Sequence, residues 1–236
     1  MTANMHISRA RLRASRGEAL SAIAPLLIPD DPRKQVSHAH RILWLLFQDI
    51  PDAVRDFLWR DEGKGKYMIL SARPPVDPLG LFDLDSKPFE PVLQAGDRLA
   101  FSLRANPVVA RKGALTKADH DQRKRGKRVD VVMDALKSVP TKDRAAVRDQ
   151  IATDVAAQWL MKQGLASGFK LPRPPLVDGY VQVPVERRKG QAAGFSALNM
   201  SGILEISDPV AFLSRLPKGF GSAKAFGNGL MLIRRV

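Results

Sequence analysis

Two rounds of one element order run along this chain, and that order narrows the folds open to it. Met5–Leu12 alternates in the manner of a strand, with Met5, Ile7, Arg9 and Arg11 on one face and His6, Ser8, Ala10 and Leu12 on the other. Gly17–Ile28 is small and apolar and suits a short helix or an ordered loop. Asp30-Asp31-Pro32 signals a helix start, with Asp as cap and Pro in the first position. The helix predicted over Val36–Phe47 is apolar nearly all round from Ile42 onward, so it belongs inside a core. Val54–Trp59 and Lys66–Ala72 read as strands joined by the charged link Asp61–Gly65. Pro74–Pro91 holds five prolines and little periodicity, and reads mostly as loop.

The second round opens with Arg98–Val109, where Leu99, Phe101, Leu103 and Ala105 share a face. Val129–Lys137 and Thr141–Gln163 are predicted helices, and Gly164 and Gly168 supply stops. Phe169–Val177 is extended. Tyr180–Glu186 and Phe195–Ile206 read as strands around the turn Arg187-Arg188-Lys189-Gly190. Asp208-Pro209 caps a short helix through Leu216, Lys218–Gly229 is a glycine-rich loop, and Leu230–Ile233 is a closing strand. The expected class is α+β: two tandem ferredoxin-like domains, each RRM-like with βαββαβ order, over residues 1–95 and 96–236.

Charge then restricts the partner. Lys and Arg number 38 against 24 Asp and Glu, a formal net charge of +14. That excess points to a polyanion, most simply nucleic acid. There is no Cys, so disulfides, thiolate zinc sites and a Cys nucleophile are excluded. Four His are too few for a multi-histidine metal centre, and neither a metal nor another cofactor is expected. No run approaches the roughly 18–20 apolar residues that span a bilayer. The expectation is a cytoplasmic protein with no membrane partner, monomeric when free.

Three features carry candidate chemistry. From Arg104 to Arg128 there are nine Lys and Arg (Arg104, Arg111, Lys112, Lys117, Arg123, Lys124, Arg125, Lys127, Arg128) against two Asp, a local net charge of +7. Phosphate contacts need such cations, and duplex RNA is read largely by shape and backbone. A solvated charged loop is the plainer reading. Lys218–Gly229 has four glycines that let backbone approach phosphate, with Lys218 and Lys224 for charge. A simple turn before the last strand fits the same residues. His40 shares a helical face with Leu43, Trp44 and Phe47, while His38 lies about 200° around the helix and cannot share its site. On spacing alone, a single His there is more often structural than catalytic.

The stretch Ala39-His40-Arg41-Ile42-Leu43-Trp44-Leu45-Leu46-Phe47, followed by Pro51-Asp52-Ala53-Val54-Arg55-Asp56-Phe57-Leu58, resembles the CasE family of CRISPR-associated endoribonucleases from type I-E systems. Leu103-Arg104-Ala105-Asn106-Pro107 resembles a strand of that family, and the pattern Gly219-x-Gly221-x-x-Lys224-x-x-Gly227-x-Gly229 resembles its C-terminal glycine-rich loop. The likeness covers nearly the whole chain, with Leu12–Gln35 as an insertion or divergent loop.

The resemblance implies a metal-independent nuclease that cuts CRISPR repeat RNA at the 3′ base of its hairpin by 2′-hydroxyl attack. The mature guide RNA then stays bound, and the protein joins the other subunits of the Cascade complex. The family's catalytic His falls on His40, with Lys224 and Ser37 as further candidates. Where the family often has Tyr, three residues before the His, this chain has Ser37. RNA contacts are expected from Arg104, Arg111, Lys112, Arg123, Lys124, Arg125, Lys127 and Arg128. Further contacts are expected from Arg187, Arg188 and Lys189, and from Lys218, Gly219, Gly221, Lys224, Gly227 and Gly229. The rival readings are a non-catalytic hairpin-binding subunit of the same fold and a general RNA chaperone.

Overall fold

The computed structural model describes residues 5–13, 31–48, 54–111, 127–186 and 192–236. The Gly17–Ile28 stretch, the turn 187–190 and most of the basic segment lie outside them.

The first sheet is built from β1 (His6–Leu12), β2 (Phe57–Gly63), β3 (Lys66–Ser71) and β4 (Phe82–Pro88), in the order β2-β3-β1-β4. All its pairs are antiparallel. Helix α1 (Pro32–Trp44) covers one face and tightens into a 3-10 turn at Leu45–Phe47. Its apolar residues Ala39, Ile42, Leu43, Leu46 and Phe47 pack on Ala10, Leu12, Phe57, Trp59, Ile69 and Phe82. That burial is what the apolar run Ile42–Phe47 requires.

β4 corrects the expectation of loop over Pro74–Pro91. Only Phe82 and Leu84 carry an apolar alternation, against Asp83 and Asp85, too short to stand out among the prolines. Asp83 and Asp85 stand opposite Arg11 and Arg9 of β1, and the Arg13 guanidinium meets Asp83 at 2.7 Å. An edge strand with two inward residues and charges facing across the pair shows too short a period to read. The connection from β3 to β4 contains no helix. Pro74, Pro75 and Pro78 interrupt any helical run there, so the first half is βαβββ rather than βαββαβ.

The second half contains β5 (Arg98–Ala105), β6 (Val108–Arg111), β7 (Lys127–Asp130), α2 (Val131–Leu136), α3 (Arg144–Leu165), β8 (Phe169–Lys170), β9 (Leu176–Glu186), β10 (Ala192–Ile206), α4 (Pro209–Arg215) and β11 (Met231–Arg235). The sheet order is β11-β5-β10-β8, with β9 pairing further along β10. Counted from the first strand of each half, this is the order of the first sheet run in reverse. Both halves therefore share the ferredoxin-like arrangement. The core between this sheet and its helices includes Leu99, Leu103, Leu160, Phe169, Leu204, Phe212 and Phe220.

The helix predicted from Val129 starts two residues later. Val129 pairs with Val109 in a β6–β7 hairpin, and the Asp130 side chain caps α2 by accepting from the Met133 N–H at 2.8 Å. This hairpin is the base of the basic segment. Where the halves meet, Leu58 and Leu70 of the first sheet pack on Leu230, with Ile7, Met68 and Leu232 around them.

Candidate active site

The loop between α4 and β11 leaves the second half and lies against the first. Its stem is tied to β5: the Gly229 N–H donates to the Arg104 carbonyl at 2.7 Å, and the Ser222 N–H to the Asn106 carbonyl at 3.0 Å. Its tip is a 3-10 turn, Lys224–Phe226. The Trp59 indole N–H donates to the Ala225 carbonyl at 3.2 Å, fixing that tip to β2. Buried Asn228 closes the turn from inside, donating to the Phe226 carbonyl at 3.1 Å.

The glycines serve this packing. Gly227 has φ +75°, and a Cβ there would stand 3.0 Å from the Trp59 ring. At Gly221, with φ +78°, a Cβ would come within 2.5 Å of the Asn106 carbonyl oxygen. Gly219 and Gly229 are buried, against Leu58 and the Phe220 backbone. The close approach that Gly219, Gly227 and Gly229 permit here is to protein: to Leu58, the Trp59 ring and the Phe220 backbone.

The fixed tip brings Phe226 to His40 of α1, with ring centroids 6.3 Å apart. Phe226 also stacks on Phe195 of β10 at 5.6 Å. His40 is half-buried. The Trp44 indole N–H, one helical turn on, donates to His40 Nε2 at 3.2 Å. An indole nitrogen only donates, so Nε2 holds a lone pair and the ring is neutral, with its proton on Nδ1. Burial lowers the His40 pKa, and the cations Arg55 and Arg41 lower it further.

Lys224 opens the same short turn that ends in Phe226. Its pKa is also lowered, by burial and then by Arg215, Arg55 and Arg128. Arg55 acts on both groups, so it lies near both. It is half-buried, and among the described residues no carboxylate pairs with it. Its neighbour Asp56 is taken by Arg73 at 2.8 Å. The reading of charge runs missed Arg55 because it stands alone in sequence. The available signal was its place in the stretch Pro51–Leu58.

The other expected residues divide. Ser37 lies one turn before His40 on α1, half-buried. Arg104 lines a groove of about 230 Å³ with Trp59, Asp61, Phe195 and Phe226. Burial and the neighbouring Arg60 lower the Arg104 pKa, and its guanidinium donates to Asn199 Oδ1 at 3.3 Å. Arg128 and Lys218 are exposed. Arg111 is committed to Asp134 at 2.5 Å, which anchors the β6–β7 hairpin to α2. Lys127 belongs to β7 by its backbone. Lys112, Arg123, Lys124, Arg125, Arg187, Arg188 and Lys189 lie outside the described residues. Among those described, no three His, Cys, Asp or Glu side chains gather closely enough to hold a metal ion.

Two ferredoxin-like halves with a cation-flanked, neutral imidazole at their junction define a class of tandem-domain proteins built to handle a polyanion. Within that class, the chain belongs to the CRISPR associated protein family, whose model matches residues 5–235. The resemblance to the CasE endoribonucleases read from the sequence is borne out. The chain is 29% identical over 204 residues to the CRISPR system Cascade subunit CasE of Escherichia coli, covering 81% of this chain and 88% of that one. It is 34% identical over 158 residues to the CRISPR-associated endoribonuclease Cse3 of Thermus thermophilus, covering 62% and 60%. Its fold matches a structure of CRISPR endoribonuclease Cse3 bound to a 19-nucleotide RNA, with TM-score 0.63 and 26% identity over 98% of this chain and 99% of that one.

Proposed function

We propose that this protein cuts precursor CRISPR RNA at the 3′ base of the repeat hairpin and remains on the mature guide as a Cascade subunit. The reaction is attack of a 2′-hydroxyl on the adjacent phosphate, leaving a 2′,3′-cyclic phosphate and a 5′-hydroxyl. RNA carries its own nucleophile, so the protein has only to move two protons and offset charge. The observation that carries the reading is His40, neutral and flanked by cations, where the loop of one domain meets the helix of the other. Family membership and the RNA-bound relative support the same substrate. No helix among the described residues is long and apolar enough to cross a membrane. A guide-processing subunit acts where the transcript is made, in the cytoplasm.

His40 is the base. A lone pair on a neutral imidazole accepts the 2′-hydroxyl proton. The Trp44 bond to Nε2 is long for a hydrogen bond, so the hydroxyl displaces the indole at small cost. Lys224, with its lowered pKa, is a better acid than an ordinary lysine. It donates to the departing 5′-oxygen, or bonds the charge growing on the phosphorane. Ser37 titrates too far from neutrality to serve as either, and its place beside His40 suits a hydrogen bond to the ribose.

The test is cleavage of the repeat hairpin in excess EDTA. The parental protein should make a single cut. His40→Ala should lose about 10²- to 10⁴-fold in rate while hairpin affinity stays within a few-fold, because affinity is spread over many phosphate contacts. His38→Ala should cut almost normally. A His40→Ala protein that cuts at the parental rate overturns the assignment. Tight hairpin binding by the parental protein with no cut would favour the non-catalytic reading.

A further inference from the structure

A second hollow, distinct from the groove that holds Phe226, is lined by Lys224. It measures about 430 Å³, and its polar lining is Arg55, Arg128, Gln163, Arg215, Ser222 and Lys224. The four cations come from four places in the chain: the approach to β2, β7, α4 and the glycine-rich loop. No carboxylate lines it. Like charges gathered without a counter-charge repel one another and destabilise the protein that holds them, and the pKa of Lys224, lowered first by burial, is lowered further by Arg215, Arg55 and Arg128. Arg215 is also held in place. Its guanidinium lies over the Phe220 ring at 5.1 Å and donates to Gln163 Oε1 at 3.1 Å. Its Nε is buried and without a partner among the described residues. A guanidinium held in place at the lining of the hollow offers a tetrahedral oxyanion a charged donor in a fixed position.

We infer that this hollow binds one backbone phosphate of the RNA, the neighbour of the phosphate cut at His40, with Arg215 and Arg128 as its ligands and Arg55 set between the two phosphates. This rests on the proposed function and adds to it Arg55 and Arg215, which neither charge runs nor glycine spacing singled out. Holding the adjacent phosphate fixes the strand on one side of the scissile bond. That is what in-line attack by a 2′-hydroxyl demands of its surroundings.

The test uses the repeat hairpin with a 2′-deoxy nucleotide at the cut, which binds without being cleaved. Each phosphate flanking the cut is replaced in turn by a neutral methylphosphonate. At one position next to the scissile phosphate, neutralisation should weaken binding by the parental protein about 10- to 100-fold, the range for a charge-assisted contact. In Arg215→Gln or Arg128→Gln the same replacement should cost almost nothing more, because the contact is already gone. The slope of log affinity on log salt should fall by roughly 0.7–0.9 in either variant. Arg128 is exposed, so its replacement spares the fold and keeps the result decisive even where Arg215→Gln unfolds. Losses that multiply independently at every position overturn the inference. If the parental protein cuts the all-ribose hairpin, that outcome leaves the proposed function standing. A parental protein that does not cut overturns both.

Discussion

At His40 every neighbouring effect works against a second proton. Burial disfavours the imidazolium, Arg55 and Arg41 repel it, and the Trp44 N–H bonds the lone pair that protonation would consume. The pKa therefore lies below the ordinary 6.5. A base works deprotonated, so kcat/KM should fall only as pH drops through a midpoint below 6.5, and kcat/KM is the quantity that reports the uncomplexed enzyme. Arg55→Gln removes one repelling charge and should move that midpoint up, toward 6.5. Trp44→Phe keeps a ring against Phe57, now 5.3 Å from Trp44, but loses the donor. It should move the midpoint in the same direction. Midpoints that stay put in both variants would show that neither residue tunes the imidazole. The pairing of His40 with Trp44 was legible, because residues four apart share a helix face. The coupling to Arg55 was not, since it depends on how the approach to β2 passes α1.

The glycine-rich loop acts as a rigid element, and its glycines leave little room for a side chain. Gly227→Ala meets two penalties, a left-handed φ and a Cβ 3.0 Å from Trp59. Gly63→Ala meets only the first, since its φ is +81° and nothing lies within 4 Å of a Cβ there. The left-handed conformation costs a residue with Cβ roughly 1–2 kcal/mol. Gly63→Ala should lose about that much in urea unfolding and keep its cleavage rate. Gly227→Ala should lose more stability and also cut more slowly, because the loop tip is pushed off Trp59 and carries Phe226 and Lys224 with it. Equal rates in the two variants would show that the tip does not position the site. The loop's existence was readable from its composition. Its direction was not, because glycine spacing says only that something approaches closely, and that something is the ring of Trp59. β4 was hidden for another reason: its apolar alternation is only Phe82 and Leu84, while its charges stand opposite Arg9 and Arg11 across the sheet. The elements that were legible, α1 and β5 among them, bury one face against their own sheet and therefore show it in sequence.

Across the whole molecule, the net charge of +14 announces a polyanion but does not say where the anion lies. The fold separates two kinds of cation. Arg55, Arg215 and Lys224 gather at the junction of the halves, half-buried and far apart in sequence. The run of cations from Arg123 to Arg128 instead leads into β7, the return strand of a hairpin whose base is held by Arg111 on Asp134. A run of cations next in sequence to this anchored strand suits the backbone of an RNA duplex, while the junction suits the strand to be cut. Replacing Arg123, Lys124, Arg125, Lys127 and Arg128 together by Ala should therefore weaken hairpin binding strongly and flatten its salt dependence. Each lost duplex phosphate contact lowers the log–log slope by about 0.9. Arg128 also lines the junction hollow, so Arg128→Gln alone is the reference from which the change is counted. The remaining four cations should still remove slope beyond that reference, and cleavage at saturating RNA should match that of Arg128→Gln, because His40 and Lys224 are untouched. Affinity and slope equal to those of Arg128→Gln would place the duplex elsewhere on the protein and leave the run as a solvated loop.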